Sequence, residues 1–207
     1  MLIAFCGIDG CGKTTQLKMV KDKINQNNIY ITKQPTDFYR SYDRFNLYIN
    51  NEISISNLLL EELALLAASD KLRHYQLEIQ PFVESSIVLS DRYIYSSYAY
   101  FYARGLHNIK WLKEINKYLP LPDITFYFDI DPIIALNRVK CRDGNKIKAE
   151  ESNLQILNDA REAFVKEIWG KNKDFVLIDA NQSEEKIHIE VMRILKERIK
   201  NEGKTIL

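Results

Sequence analysis

A glycine-rich turn near the N-terminus contains the first residues whose types and spacing predict chemistry. Glycines let the backbone come close to a phosphate, and successive N–H groups then form a nest for anions at the start of a helix. In such a nest Lys13 would place its charge on the terminal phosphates, and Thr14 would offer a hydroxyl to Mg²⁺. The turn predicts a phosphate-binding P-loop and a nucleotide site, with an ordinary glycine turn as the alternative. It reads Gly7-Ile8-Asp9-Gly10-Cys11-Gly12-Lys13-Thr14-Thr15 and fits the pattern G-x-x-x-x-G-K-[ST].

A second pair of charged residues follows a short apolar run. Asp91 and Arg92 come directly after Ile87-Val88-Leu89-Ser90. The planar guanidinium of Arg92 is suited to bidentate contact with a phosphate. The alternative interpretation of the pair is a local ion pair that caps a helix.

Apolar runs of strand length alternate with helix-forming segments along the whole chain. This alternation predicts a single-domain α/β P-loop NTPase fold over residues 1–207, with a five-stranded parallel sheet covered by helices on both faces. Ligands of such sheets bind beyond the C-terminal ends of the strands, where the P-loop, Lys33, Asp91-Arg92 and Asp179 are expected to converge. The predicted strands are 2–6, 29–32, 86–90, 124–130 and 175–178, and the predicted helices are 16–26, 55–84, 94–103, 109–118, 132–141, 152–169 and 183–200, with 36–50 weakly helical.

Composition limits the kinds of partner. The 29 Lys and Arg and 28 Asp and Glu leave a net charge of +1, so no global basic field indicates nucleic acid. No apolar run approaches the roughly 20 residues that span a bilayer. The three cysteines, Cys6, Cys11 and Cys141, form no C-x-x-C pair, which suits a reducing compartment. We therefore expect a cytoplasmic protein that binds small molecules and neither nucleic acid nor membrane.

Two other P-loop classes receive little support. A GTPase needs a guanine-reading N-K-x-D loop, and Asn172-Lys173-Asp174 lacks the intervening residue. Asp129, after Phe126-Tyr127-Phe128, superficially fits the Walker-B acid of a motor-type ATPase and fits a strand-end acid equally well.

Two runs together resemble the thymidylate kinases. They are Phe5-x-Gly7-Ile8-Asp9-Gly10-x-Gly12-Lys13-Thr14-Thr15-Gln16 and the run from Asp91 to Tyr100, which has the form DRY-x-x-S-x-x-A-Y. The similarity extends over the whole chain, since Lys33-Gln34-Pro35, Ser69-Asp70-Lys71 and Ile178-Asp179-Ala180 are similar to the family's R-E-P, A-D-R and I-D-A. The resemblance implies an enzyme, usually a homodimer, that uses ATP and Mg²⁺ to convert dTMP to dTDP.

The resemblance also implies roles for individual residues. Residues Gly7 to Thr15 and Arg138 would bind ATP, while Thr14, and Asp91 through water, would hold Mg²⁺. Lys13, Asp91 and Arg92 would be catalytic. The acceptor would contact Asp9 at its 3′-hydroxyl, Arg92 at its phosphate and Tyr100 beneath its deoxyribose, with Lys33, Lys71 and Tyr93 nearby. Other interpretations stay open, because Asp9 could stabilise the turn and Tyr93 and Tyr100 could belong to the core.

A basic lid is expected because Gly10-Cys11 lacks the arginine that one branch of the family carries in its P-loop. The transferring phosphoryl group would then be stabilised from a lid at about 142–150, which resembles an arginine finger in cis. Arg142, Lys146 and Lys148 lie there, with Arg142 as the expected catalytic cation. The alternative for such a charge cluster is a solvated surface.

Departures from the family pattern leave alternatives. Lys71 replaces the expected arginine and Ala67 a base-stacking phenylalanine, so dUMP or another monophosphate is less firmly excluded than usual. Cys6 replaces a glutamate, whereas a deoxynucleoside kinase acting on a 5′-hydroxyl would need a base. A catalytically silent nucleotide-binding protein is the third possibility. Because helix N-termini lower thiol pKa values, the sequence leaves open whether Cys11 is reactive.

Overall fold

Five short strands form one parallel sheet at the centre of the fold. The computed structural model describes residues 1–24, 29–144, 147–168 and 174–201, and the strand order is β2-β3-β1-β4-β5. β1 lies between β3 and β4, with Phe5 opposite Asp91 on one side and Phe126 on the other. The prediction of a five-stranded parallel sheet is confirmed. The strands are β1 Leu2–Cys6, β2 Ile29–Lys33, β3 Ile87–Asp91, β4 Ile124–Asp129 and β5 Phe175–Asp179.

Helices cover both faces of the sheet, so that alternate residues of the central strand β1 belong to two separate hydrophobic cores. Leu2, Ala4 and Cys6 pack on one face, whereas Ile3 and Phe5 pack on the other. The described helices are α1 Lys13–Lys23, α2 Asp37–Arg40, α3 Asp43–Ile49, α4 Asn57–His74, α5 Gln80–Val83, α6 Ile94–Ala103, α7 Ile109–Ile115, α8 Pro132–Asp143, α9 Leu154–Glu162 and α10 Glu184–Asn201.

The long helix predicted over 55–84, with a break near Pro81 as the alternative, is interrupted. A π-helical turn, Tyr75–Ile79, separates α4 from α5. Pro81 lies in the first turn of α5, and because proline has no N–H it cannot donate to a preceding carbonyl of a continuous helix. The helix predicted over 109–118 also ends early, at Ile115, where the side-chain amide of Asn116 donates to the Leu112 carbonyl at 2.8 Å.

The connections at the C-terminal edge of the sheet are short. β1 leads through the glycine-rich turn into α1, and β3 leads through Arg92 and Tyr93 into α6. Because β1 and β3 are neighbours, the two connections meet at one edge. None of the helices in the described ranges is both long enough and apolar enough to cross a lipid bilayer.

Candidate nucleotide-binding site

The glycine-rich turn adopts backbone geometry that favours glycine. Gly10 and Gly12 have φ angles of 86° and 89°, in the left-handed region. A Cβ added at Gly10 would overlap the backbone of Ala135, because α8 packs directly on the turn. Within residues 1–24, which are all described, no side chain caps the N-terminus of α1 and its first turn has no acidic residue. The positive end of α1 is therefore left for an anion.

Lys13 and Thr14 begin α1 and face the sheet edge. The Lys13 ammonium lies 3.4 Å from the Ile8 carbonyl oxygen and 3.5 Å from an Asp9 carboxylate oxygen. The Thr14 hydroxyl donates to Asp91 Oδ2 at 2.7 Å, which joins the turn to the end of β3. A cation, a hydroxyl and a carboxylate thus meet at the mouth of the anion nest.

Arg92 reaches back from β3 to the same turn. Its Nη1 donates to the Gly7 carbonyl oxygen at 3.1 Å and its Nη2 to Asp9 Oδ1 at 2.5 Å. The guanidinium carbon lies 5.0 Å from the centre of the Tyr100 ring, in cation–π contact. The ring hydroxyl of Tyr100 donates to the other Asp9 oxygen at 2.9 Å. The sequence-predicted residues Asp9, Arg92 and Tyr100 therefore form one buried cluster.

The Asp9 carboxyl is ionised in this cluster. Burial alone would raise its pKa, but the charges of Arg92 and Lys13, together with the Tyr100 hydrogen bond, hold the pKa well below its usual range. Asp9 thereby offsets part of the positive charge of Arg92 and Lys13.

A cavity of about 260 Å³ opens between this cluster and α4. Its lining combines charged side chains with aromatic and apolar ones, among them Tyr39, Phe45 and Ala67. Such a cavity can hold a small molecule that is anionic at one end and a flat ring at the other. The sequence-predicted residues that line it are Asp9, Lys13, Thr14, Lys33, Lys71, Asp91, Arg92, Tyr93, Tyr100, Arg142 and Lys148.

Two of the predicted acceptor residues donate to backbone carbonyls, and a third lies near another cation. Lys71, 2% exposed, donates to the Ala67 carbonyl at 2.9 Å, and burial lowers its pKa to about 8. The nearby charge of Arg40, together with partial burial, lowers the pKa of Lys33. Tyr93 is fully buried and its hydroxyl donates to the Pro120 carbonyl at 3.1 Å, so its polar end points into protein.

A second cavity, of about 370 Å³, lies on the other side of the turn. Residues from Gly10 to Gln16 form one wall, and Arg138 and Gln182 contribute to the others. Lys13, Thr14 and Arg142 line both cavities. The two cavities therefore meet at the end of the P-loop, which is the arrangement that transfer of a group between two bound molecules requires.

The expected lid residues are only partly brought together. Arg138 Nη1 lies 3.5 Å from the Gly10 carbonyl oxygen. Arg142 is 59% exposed and makes a bidentate ion pair with Asp143, at 2.6 and 2.7 Å. Lys148 lines the first cavity. Lys146 lies outside the described residues.

Two residues of the first cavity carried no sequence prediction. Arg104 and Glu150 form a buried bidentate pair, with donor–acceptor distances of 2.6 and 2.9 Å. Arg104 lies four residues after Tyr100, one helical turn further along and at the C-terminal end of α6. This spacing could have placed it on the same helix face as Tyr100. Glu150 had no comparable signal, because its loop has no periodicity.

The structure gives defined surroundings to three further residues that the sequence singled out. Cys11 is buried, and burial raises the pKa of its thiol, which favours an unreactive thiol. Asp129 accepts two hydrogen bonds from Arg161, at 2.7 and 2.8 Å, as a strand-end acid does. Asp179 is not among the described cavity-lining residues and instead accepts from the Asn181 backbone at 3.0 Å, shaping the loop that carries Gln182.

Comparisons with known proteins agree with this geometry. A family model described as Thymidylate kinase matches residues 5–191. A probable thymidylate kinase of Pyrococcus abyssi is 32% identical over 197 residues, which cover 93% of this chain and 94% of that protein. A thymidylate kinase of Thermoanaerobacter pseudethanolicus is 35% identical over 202 residues, covering 94% and 96%. A solved structure of thymidylate kinase from Candida albicans has a TM-score of 0.78 at 24% identity, covers 100% of this chain and 94% of its own, and supports the predicted fold class.

Proposed function

The chain belongs to the thymidylate kinase family, and from that premise we propose which residues hold each nucleotide. The enzyme transfers the γ-phosphoryl group of ATP to dTMP, giving dTDP and ADP. The observation that carries the residue assignment is the meeting of two cavities at Lys13, Thr14 and Arg142. The comparisons do not favour a deoxynucleoside kinase or a catalytically silent protein.

ATP occupies the cavity between the P-loop and Gln182 in this proposal. The uncapped N-terminus of α1 and the amides from Gly7 to Thr15 bind the phosphates, with Lys13 at the terminal ones. Arg138 adds a cation on the same side, next to the Gly10 carbonyl.

Thr14 and Asp91 suit Mg²⁺. The hydroxyl and carboxylate oxygens are 2.7 Å apart, and Mg²⁺ usually takes one or two protein oxygens alongside substrate phosphates and waters. When bound, the ion would neutralise charge on the phosphate oxygens during transfer. Asp91 would act through water, and the Thr14 hydroxyl would turn from Asp91 to the metal.

dTMP occupies the other cavity, with its phosphate against Arg92 and its base at the end lined by Ala67 and Lys71. Asp9 and Tyr100 hold the sugar, Asp9 accepting from the 3′-hydroxyl, while Lys33 and Tyr93 complete the walls. The attacking group is a phosphate oxygen that is already ionised, so no general base is needed. Cys6 could not supply one, because burial raises its pKa to about 11. This favours a monophosphate over a nucleoside as acceptor.

Transfer then follows from positioning and charge. An oxygen of the dTMP phosphate forms a bond to the γ-phosphorus of ATP, while the bond to the bridging oxygen breaks and its electron pair leaves with ADP. Lys13 and Arg92 hold the two phosphates in line, and Arg142 adds positive charge from the lid at about 142–150, with Lys146 and Lys148 in the same segment. For Arg142 to act, it must exchange Asp143 for phosphate oxygens.

The proposal also covers the domain organisation, the oligomeric state and the cellular compartment. The chain is one domain with that lid, and it works as a homodimer, consistent with exposed leucines on α4. The free thiols of Cys6, Cys11 and Cys141 suit the reducing cytoplasm.

The assignment of Arg92 is tested by titration calorimetry of Arg92→Ala. We expect dTMP affinity to fall about 30-fold or more, since losing a buried charge partner costs about 2 kcal/mol or more, while ATP affinity changes little. Arg193→Ala, which removes an exposed ion pair on α10, is the matched control. Unchanged dTMP affinity in a folded Arg92→Ala variant would remove Arg92 from the acceptor site.

A further inference from the structure

Arg104 is a buried arginine at the wall of the acceptor cavity. Its side chain is 8% exposed and lies among aromatic rings, with its guanidinium carbon 5.3 Å from the Phe101 ring centre and 5.8 Å from that of Tyr100. Phe45 and Tyr48 lie on its other sides, at 5.9 and 5.7 Å. A guanidinium so far from water needs a partner charge, because a buried charge without one is costly.

Glu150 supplies that charge from the segment between α8 and α9. It accepts from Nε and Nη2 of Arg104 at 2.6 and 2.9 Å, which is the fork-to-fork geometry of strong pairs. Its side chain is 13% exposed, and its neighbours Lys148 and Glu151 line the acceptor cavity. The pair is the direct bridge between the aromatic wall and the lid segment.

We propose that Arg104 is a positioning residue that clasps the lid over the bound acceptor through Glu150. This inference rests on the proposed function, because it takes the cavity to be the dTMP site. A bound acceptor fills the cavity and excludes water, and exclusion of water strengthens the Arg104–Glu150 attraction. Closing the lid and binding dTMP therefore favour each other, as any thermodynamic coupling requires.

Because of the Arg104–Glu150 pair, two arginine side chains lie close to the Tyr100 ring. Arg92 lies 5.0 Å and Arg104 5.8 Å from its ring centre. A sugar resting on Tyr100 thus touches a residue that both the phosphate-binding arginine and the lid clasp hold in place. We therefore expect loss of the Arg104–Glu150 pair to weaken dTMP binding and to lower turnover, while ATP binding stays unchanged.

Glu150→Gln tests the clasp in the full-length enzyme, since it removes the charge and keeps the size of the side chain. We expect kcat/KM for dTMP to fall about tenfold or more, with the KM for ATP unchanged. Glu197→Gln, which breaks an exposed 2.9 Å ion pair on α10, is the control and keeps wild-type kinetics. In a double-mutant cycle with Arg104→Met, the double variant is expected to lose less than the sum of the single losses.

The second measurement is the protection of the lid segment from trypsin by dTMP. If the Arg104–Glu150 pair were merely structural, breaking it would leave this protection unchanged. Trypsin cleaves after Arg142 and Lys148, and dTMP is expected to slow this cleavage in the wild type and in Glu197→Gln but not in Glu150→Gln. An active wild type whose Glu150→Gln variant matches Glu197→Gln in both measurements would overturn the clasp alone. A wild type inactive on dTMP would overturn the proposed function as well.

Discussion

Arg92 occupies a backbone conformation that its residue type disfavours. Its φ of 66° lies in the left-handed region, which costs a non-glycine residue about 1–2 kcal/mol. Two contacts hold it there: its N–H donates to the Phe5 carbonyl at 2.9 Å, and the Ser90 hydroxyl donates to its carbonyl at 2.6 Å. This conformation directs the guanidinium toward Gly7 and Asp9. The strained backbone therefore holds a cation in a fixed position beside the P-loop.

Lys71 gives the acceptor site a testable pH dependence. Burial lowers its pKa to about 8, so the ammonium that would donate to the base is lost as the pH rises past that value. We expect the KM for dTMP to rise between pH 7 and pH 9 in the wild type. In Lys71→Met this rise should be absent, and an identical pH profile in both proteins would exclude Lys71 from base recognition.

Unfolding would not explain such a rise. The folded pKa of Lys71 lies below its unfolded value, so between about pH 8 and pH 10.5 the unfolded chain binds more protons. The Lys71 contribution to the free energy of unfolding therefore increases with pH in this window, whereas the expected dTMP affinity decreases. Thermal melts at the same pH values separate the two effects.

Single residues were predictable where a motif or a helical spacing marked them. Lys13, Thr14 and Arg92 follow from the P-loop and from the end of a strand. The Arg104–Glu150 pair did not, because its members are 46 residues apart and only tertiary packing brings them together. The reactivity of the Cys11 thiol could not be predicted from the motif, because a helix N-terminus lowers a thiol pKa whereas burial, which only the fold shows, raises it.

At the scale of elements, α8 connects the P-loop to the segment that we propose as the lid. Its Ala135 backbone packs against Gly10, its Arg138 reaches the Gly10 carbonyl, and its last turn carries Arg142. The sequence predicted this helix over 132–141 with Pro132 at its start, and the structure extends it to Asp143, so that Arg142 is helical. In the long helix over 55–84, Pro81 marked the region of the break, but periodicity alone did not predict the π-helical turn that precedes it.

Arg142→Ala measures the contribution of the lid. Arg142 is exposed and paired only across the surface with Asp143, so its loss should cost little stability. We expect kcat to fall about 100-fold or more with the KM for ATP nearly unchanged, as for loss of a catalytic cation in cis. Arg138→Ala, by comparison, should raise the KM for ATP. Wild-type kcat in Arg142→Ala would assign the lid cation to another residue.

At the scale of the whole molecule, the sheet order brings the ends of β1 and β3 together and so makes one site from segments 85 residues apart in the chain. Strand–helix alternation was enough to predict this parallel sheet, because only a few topologies satisfy it. The shapes of the cavities were not predictable, since they depend on loops such as 147–153 and on side-chain packing.

The surface of α4 predicts the oligomeric state. Leu58 and Leu65, two turns apart on one helix, are 78% and 52% exposed. We expect light scattering to give about twice the chain mass of 24.3 kDa, and Leu65→Glu to give the monomer. Ile189→Glu, at a 68% exposed position on α10, is the control and should stay dimeric. A wild-type monomer at micromolar concentration would exclude the dimer.

The central claim is that this site joins ATP to a pyrimidine deoxynucleoside monophosphate, with dTMP as the acceptor. A coupled assay of ADP formation, with ATP and dTMP, dUMP, dCMP or thymidine in parallel, tests it most directly. We expect the highest kcat/KM with dTMP, a measurable value with dUMP because Lys71 reads the base with a single mobile group, and no turnover of thymidine. Rapid ADP formation with thymidine and none with dTMP would contradict the account.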